Sequence, residues 1–148
     1  MSRVPAGSTV LVCPGIYAEQ VVISKPLTLA GTSNGSSAQA VIAVPSGGLS
    51  ATSSLLGTLS PQVLVEATSG PVNITNITVD GTAFVANSCA TILAGVYYDL
   101  NSSGTLFDLM LMKMHTDCKR VYEIATAGST TGIPDFALPT IRLTAEFA

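Results

Sequence analysis

The side chains of this sequence that are suited to moving protons or holding cations are few. The densest polar cluster is HTDCKR, residues 115–120, in which Asp117 offers a carboxylate and Arg120 a basic group. Carboxylates bind divalent cations, and a basic side chain accepts a proton from a substrate. The cluster allows cation-assisted proton transfer, although a solvated loop explains the same residues. The complete set of candidates is Asp80, Asp99, Asp108, Lys113, His115, Asp117, Lys119 and Arg120.

A second candidate is the pair Asp80 and Asp99, each of which ends an apolar packet. If the two packets form neighbouring strands, about 4.8 Å apart, the carboxylates meet on the outer face of a sheet. Together with Asp117 they are the candidate metal ligands. The same spacing falls within the range of carboxylate pairs that hydrolyse glycosides. The single histidine, His115, lacks the neighbouring serine and acid of a catalytic triad.

The three cysteines, Cys13, Cys89 and Cys118, are an odd number without CxxC spacing. This pattern argues against a zinc site and against a complete disulfide framework. We expect Cys13 to be a small core residue inside a strand, because free cysteine is among the most buried residue types. A Cys89–Cys118 bridge would form only in an oxidising compartment.

Composition excludes several classes of protein. Only 10% of the 148 residues are charged and 47% are hydrophobic, with a mean hydropathy of +0.52. No apolar run approaches the roughly 18 residues of a membrane span. The net charge is −3 and the six Lys and Arg residues are scattered, so nucleic acid is not an expected partner. The chain has the length of one domain.

The secondary structure that must position these residues is predicted to be entirely β. Short packets such as AVIAV (residues 40–44) and NITNITV (residues 73–79) alternate with turns rich in Gly, Ser, Thr and Asn. In the opening stretch we expect short strands at residues 10–12, 21–23 and 27–29. LFDLMLMKM, residues 106–114, is either a strand with a bend or a short helix.

Internal repetition predicts how these strands pair. VLVEATSGPVNITNITV (residues 63–79) aligns with VYYDLNSSGTLFDLML (residues 96–111), and VYEIATAGSTTG (residues 121–132) suggests a third copy. Irregular repeat spacing favours a solenoid of parallel strands with loops of variable length. The predicted inward column is Val12, Ile23, Leu29, Val65, Ile77, Val79, Val96 and Val121.

The opening PAGSTVLVCPGIYAEQVVISKPLTLAG, residues 5–31, resembles the start of right-handed parallel β-helix proteins of the pectin-lyase-like class. The resemblance extends to about residue 110. It implies one right-handed parallel β-helix domain over residues 1–148, a solenoid of few turns, with residues 133–148 as a tail outside the clear pattern. It also implies truncation. The N-terminal helix that is usual in this class and a signal peptide are not seen in the sequence, and the repeat pattern ends where further residues would be expected.

The resemblance specifies a fold and leaves the function open, because this class includes lyases, hydrolases, esterases, epimerases and surface proteins. Our leading interpretation is a carbohydrate-associated protein without a complete catalytic site, secreted or on the cell surface in its full-length form. One alternative is a polysaccharide lyase or glycoside hydrolase. The lyase would use Asp117 as a ligand for Ca²⁺ and Arg120 as the base. The other alternative is a structural or adhesive module that binds a protein.

Two further expectations concern contacts with partners. Tyr97 and Tyr98 are adjacent, so one points inward and the other outward. We favour Tyr97 stacking inward with Tyr122, which leaves Tyr98 as the candidate for stacking on a sugar. A truncated coil would also expose unpaired strand edges, so self-association through uncapped ends is expected.

Overall fold

The computed structural model describes residues 3–33, 39–53, 57, 59–66, 68–83, 92–99, 102–112 and 121–126. This part of the chain contains ten β-strands and no helix. The strands are β1 (Ser8–Val12), β2 (Gly15–Ala18), β3 (Val21–Ile23), β4 (Leu27–Gly31), β5 (Ala40–Ala43), β6 (Leu59–Val65), β7 (Val72–Asp80), β8 (Ile92–Tyr98), β9 (Gly104–Met112) and β10 (Val121–Thr126). The predicted all-β class is confirmed.

The strands form two sheets in which every pair is parallel. The first sheet has the order β1-β4-β7-β5-β2, and β9 also pairs with β7. The second sheet has the order β10-β8-β6-β3. Because parallel neighbours cannot be joined by tight hairpins, each connection must carry the chain away from a strand before the paired strand begins.

The pairing register repeats along the chain. The N-terminal half of β7 pairs with β4 and its C-terminal half with β5, and β9 pairs with both halves. Three sets of four strand positions result, which the chain visits in the same order each time. They are Ser8–Leu27–Val72–Gly104, Gly15–Ala40–Ile77–Leu109 and Val21–Val63–Val96–Ile124. The separation between partners differs from step to step, so the connections vary in length while the strands stay in register.

The core is built from alternate residues of these strands. Val10, Leu29, Ile74 and Leu106 are successive partners, and the last three are buried. Most of the predicted inward column is confirmed, since Ile23, Leu29, Val65, Ile77, Val79 and Val96 are all buried in one cluster. Val12 is half-buried against that cluster. The side chain of Val121 lies outside the described part.

Two corners use the left-handed backbone conformation. Asn76 has φ 51° and divides β7, and Asp108 has φ 50° and divides β9. The Asn76 Nδ2 donates a hydrogen bond to the Gly31 carbonyl oxygen over 2.8 Å. Asn and Asp tolerate this conformation better than other residues that carry a Cβ. The bend in β9 confirms the strand interpretation of residues 106–112 over the helix.

We expect Asn76→Ala to lower the free energy of unfolding by about 2 kcal/mol, because alanine is strained at this φ and the bond to Gly31 is lost. Asn76→Gly should cost roughly 1 kcal/mol, since glycine adopts the conformation freely and loses only the hydrogen bond. Urea unfolding of the two variants checks this order. Equal losses would show that the backbone conformation contributes nothing.

The structure also corrects three sequence predictions. The opening stretch contains four strands, because Gly15–Ala18 is extended and pairs with β5. Cys13 is exposed and follows β1, so it is not a core residue. The alignment of residues 63–79 with 96–111 is confirmed by the pairing of Val63 with Val96. In the third copy, however, Val96 pairs with Ile124 and not with Val121.

Candidate functional site

The two candidate carboxylates Asp80 and Asp99 follow strands of different sheets. Asp80 ends β7, and its Oδ1 accepts hydrogen bonds from the Thr82 amide, over 2.9 Å, and from the Thr82 hydroxyl. Asp99 follows β8, and its amide donates to the Val65 carbonyl over 2.7 Å. This register makes Glu66 the neighbour of Asp99 along the second sheet. A shared cation site of Asp80 and Asp99 is therefore not proposed.

Asp108 lies exposed in the bend of β9. The remaining candidates from the sequence lie outside the described residues. They are Lys113, His115, Asp117, Lys119 and Arg120, together with the proposed bridge partners Cys89 and Cys118. Their roles stay predictions. Within the residues that the structure does describe, no group of three or more His, Cys, Asp and Glu side chains is placed to hold a metal ion.

Asp99 belongs to a buried polar cluster with Ser53 and Tyr97. The Ser53 hydroxyl donates to Asp99 Oδ2 over 3.0 Å, and both residues are buried. The Tyr97 hydroxyl is buried without a hydrogen bond to the protein. Burial raises the pKa of Tyr97, the nearby Ser53 hydroxyl partly offsets this, and the Asp99 carboxylate raises the pKa further. The hydrogen bond between Ser53 and Asp99 therefore links residue 53 to the C-terminal end of β8.

Residues 49–53, here called the strap, contact the second sheet through Ala51 and Ser53. The Gln20 side chain holds the strap, because its Oε1 accepts from the amides of Ser50 and Ala51 and its Nε2 donates to the Ala51 carbonyl. Ala51 packs on an apolar cluster consisting of Leu59, Leu64, Ala94 and Tyr97, with Val22 at its margin. All seven residues of β6 are buried.

The two tyrosines take the opposite sides from those that we predicted. Tyr98 packs in the main core cluster, and its hydroxyl donates to the Val72 carbonyl over 2.8 Å. Tyr97 points outward and lies under the strap. Tyr98 is 1% exposed, so its ring is not available to stack on a sugar in this conformation. The Tyr122 side chain lies outside the described part.

Alkaline pH should destabilise the fold through these tyrosines. Burial raises the pKa of Tyr98. The folded state then keeps this proton after the unfolded chain, with a pKa near 10, has lost it. Stability is unaffected below about pH 10 and falls above it, by up to about 1.4 kcal/mol per pH unit for each such tyrosine.

Urea unfolding at pH 8 to 11 tests this. Tyr98→Phe should be less stable than the wild type at pH 8, because the hydrogen bond to Val72 is lost. The difference in the free energy of unfolding between the wild type and Tyr98→Phe should shrink above pH 10. A difference that stays constant to pH 11 would contradict the proposed titration.

The first sheet, in contrast, has an open outer surface. Alternate residues of β1, β4 and the N-terminal halves of β7 and β9 form this surface, here called the open face. Its eight residues are Thr9, Leu11, Thr28, Ala30, Asn73, Thr75, Thr105 and Phe107. None of them is buried, and Leu11 and Phe107 are 65% and 52% exposed.

Two parallel rows run across the four strands of the open face. One row carries hydroxyl and amide groups, from Thr9 through Thr28 and Asn73 to Thr105. Asn73 Oδ1 accepts hydrogen bonds from the Thr105 amide, over 3.1 Å, and from its hydroxyl, over 2.9 Å, which fixes both side chains. The second row has Leu11 and Phe107 at its ends. Alternation along LTLAG and GTLF was the signal for this face, but sequence reasoning directed at reactive side chains missed it.

Comparison with protein families, with curated proteins and with solved structures finds no match to this chain. The pectin-lyase-like resemblance therefore has no independent support beyond the parallel pairing of the strands. No helix among the described residues is long and apolar enough to cross a membrane.

Proposed function

We propose that the chain forms a right-handed parallel β-helix that binds carbohydrate on its open face. The repeated register supports the solenoid, because three sets of strand positions are visited four times in one order. Right-handedness follows from the general preference of crossovers between parallel strands in one sheet. Each repeat buries its apolar residues against the next, as solenoids do.

The observation that carries the binding function is the composition of the open face. Sugars present hydroxyl groups at their edges and C–H groups on their faces, so their sites combine polar side chains with an exposed ring. Phe107 supplies the ring, and Thr105 and Asn73 supply oriented polar groups beside it. On the second sheet, Ala51 of the strap packs against Leu59, Leu64, Ala94 and Tyr97, so these described side chains are not available to a sugar.

The proposal assigns no catalytic step to the described residues. The lyase or hydrolase alternative depends on His115, Asp117 and Arg120, which the structure does not describe, and it stays a prediction. Secretion or display at the cell surface, where polysaccharides are met, belongs to the same proposal. Self-association through the uncapped ends of the coil, at the edge strands β1, β2, β3, β9 and β10 of the described part, is a separate prediction.

A pull-down with insoluble polysaccharides, neutral and anionic, tests carbohydrate binding. We expect the wild type to be retained on at least one polysaccharide, and Phe107→Ala to bind about tenfold more weakly, because the exposed ring loses its stacking contact. Ile16→Ala is the matched control, since Ile16 is 77% exposed on β2, outside the open face. The proposal would be refuted if the wild type bound to none of the polysaccharides. It would also be refuted if Phe107→Ala and Ile16→Ala lost the same amount of binding.

A further inference from the structure

The open face has no ionisable side chain, although it lies on a chain with net charge −3. Five of its eight residues carry a hydroxyl or amide group and three are apolar. An acidic polysaccharide would have to give up carboxylate hydration here without meeting a cation among the eight residues of the face, which is unfavourable. Asp108, directly after Phe107, is exposed and adds a repelling charge at the margin. An uncharged ligand meets neither penalty.

The direction of the ligand follows from the register. Each strand contributes only two outward residues to the open face, whereas each row across the strands contributes four. Strands lie about 4.8 Å apart, so a row extends over roughly 14 Å. Ala30 and Thr75, in the middle of this row, have smaller side chains than Leu11 and Phe107 at its ends. Only an extended ligand that lies across the strands contacts both Leu11 and Phe107.

We propose that the ligand of the open face is an uncharged polysaccharide that lies across the four strands, in contact with Leu11 at one end and Phe107 at the other. This inference rests on the proposed function and adds the chemical class and the direction of the ligand. It requires no metal ion and no covalent step.

Calorimetry with two series of soluble oligosaccharides tests the inference. The probes are neutral β-linked glucan oligomers and oligogalacturonates, each from two to eight sugar units. We expect only the neutral series to bind, with affinity that rises with length until the oligomer spans the face. Leu11→Ala and Phe107→Ala should each weaken the longest oligomer about tenfold. Ala30→Asp, in the middle of the row, should abolish binding, and Ile16→Ala should change nothing.

Each of the other possible outcomes contradicts a specific part of this proposal. The wild type could instead prefer oligogalacturonates and lose that binding in Phe107→Ala. This result would contradict the claim that the ligand is uncharged, while carbohydrate binding on the open face would stand. Affinity independent of length, or insensitive to Leu11→Ala, would overturn the direction. Binding of no sugar would overturn the proposed function as well. So would sedimentation showing that Phe107→Ala only abolishes self-association, because the face would then join two copies. Unchanged circular dichroism of each variant guards against unfolding.

Discussion

Gly104→Ala is expected to destabilise the fold by more than about 4 kcal/mol, or to prevent folding, because the added methyl group has no space. A Cβ at Gly104 would lie 1.6 Å from the Val72 carbonyl oxygen and 2.6 Å from its carbon. These atoms belong to the paired strand β7 and cannot move without breaking the ladder. The same carbonyl accepts the Tyr98 hydroxyl, whose ring lies 3.0 Å from the added atom.

The matched control is Gly47→Ala, which has no atom within 4 Å of the added Cβ and no positive φ. Its free energy of unfolding should stay within about 0.5 kcal/mol of the wild type. Gly31→Ala provides a second test of the same kind, since its Cβ would lie 1.8 Å from the Asn76 carbonyl oxygen. Urea unfolding measures all three. A Gly104→Ala protein within 1 kcal/mol of wild type, a limit well inside typical core losses, would show that the pairing is incorrect.

Gln20→Ala should produce the second large effect, a loss of about 3 kcal/mol in the free energy of unfolding. The side chain makes four hydrogen bonds, to the Ser50 amide, the Ala51 amide and carbonyl, and the Pro61 carbonyl. Its removal leaves the part-buried Ala51 amide and the Ala51 and Pro61 carbonyls without their partner, each at a cost of about 1 kcal/mol. Gln39→Ala is the control, because the Gln39 side chain is exposed and accepts one bond, from Thr78.

Limited proteolysis gives an independent measure of the Gln20 effect. Release of the strap should expose residues 49–53 to cleavage under conditions where the sheets remain folded, because weakly held segments open locally before the whole domain. In Gln39→Ala the cleavage rate should match the wild type. Unchanged cleavage in Gln20→Ala would show that Ala51 and the apolar cluster hold the strap without the glutamine.

Local pattern was sufficient to predict the parallel all-β fold but not the details of burial. Alternation of apolar residues placed Ile23, Leu29 and Val65 in the core. Parity required Tyr97 and Tyr98 to face opposite ways, but which one faces inward depends on how each strand sits on its neighbours. Tyr97, on the outward side, is buried in a cluster against which Ala51, distant in sequence, packs. No local signal contains that contact.

The candidate site was harder to predict than the fold. Sequence reasoning selected Asp80 and Asp99 because carboxylates are reactive, and it aligned them as partners. The register instead puts Asp99 beside Glu66 and puts Asp80 on the other sheet. The open face consists of unreactive side chains, such as Thr28 and Ala30, that are ordinary when considered one at a time. They form a surface only once the strands are paired.

The long connections between paired strands have a consequence for folding kinetics. Ser8 pairs with Leu27, which is 19 residues later, and Leu27 pairs in turn with Val72, 45 residues further along the chain. No strand of the described residues pairs with the one that directly follows it, so no local hairpin is available as a nucleus. Each ladder requires closure of a long loop before any hydrogen bond forms, an entropy cost that slows folding. The chain should therefore acquire its sheets slowly, on the millisecond to second scale of domains dominated by distant pairings.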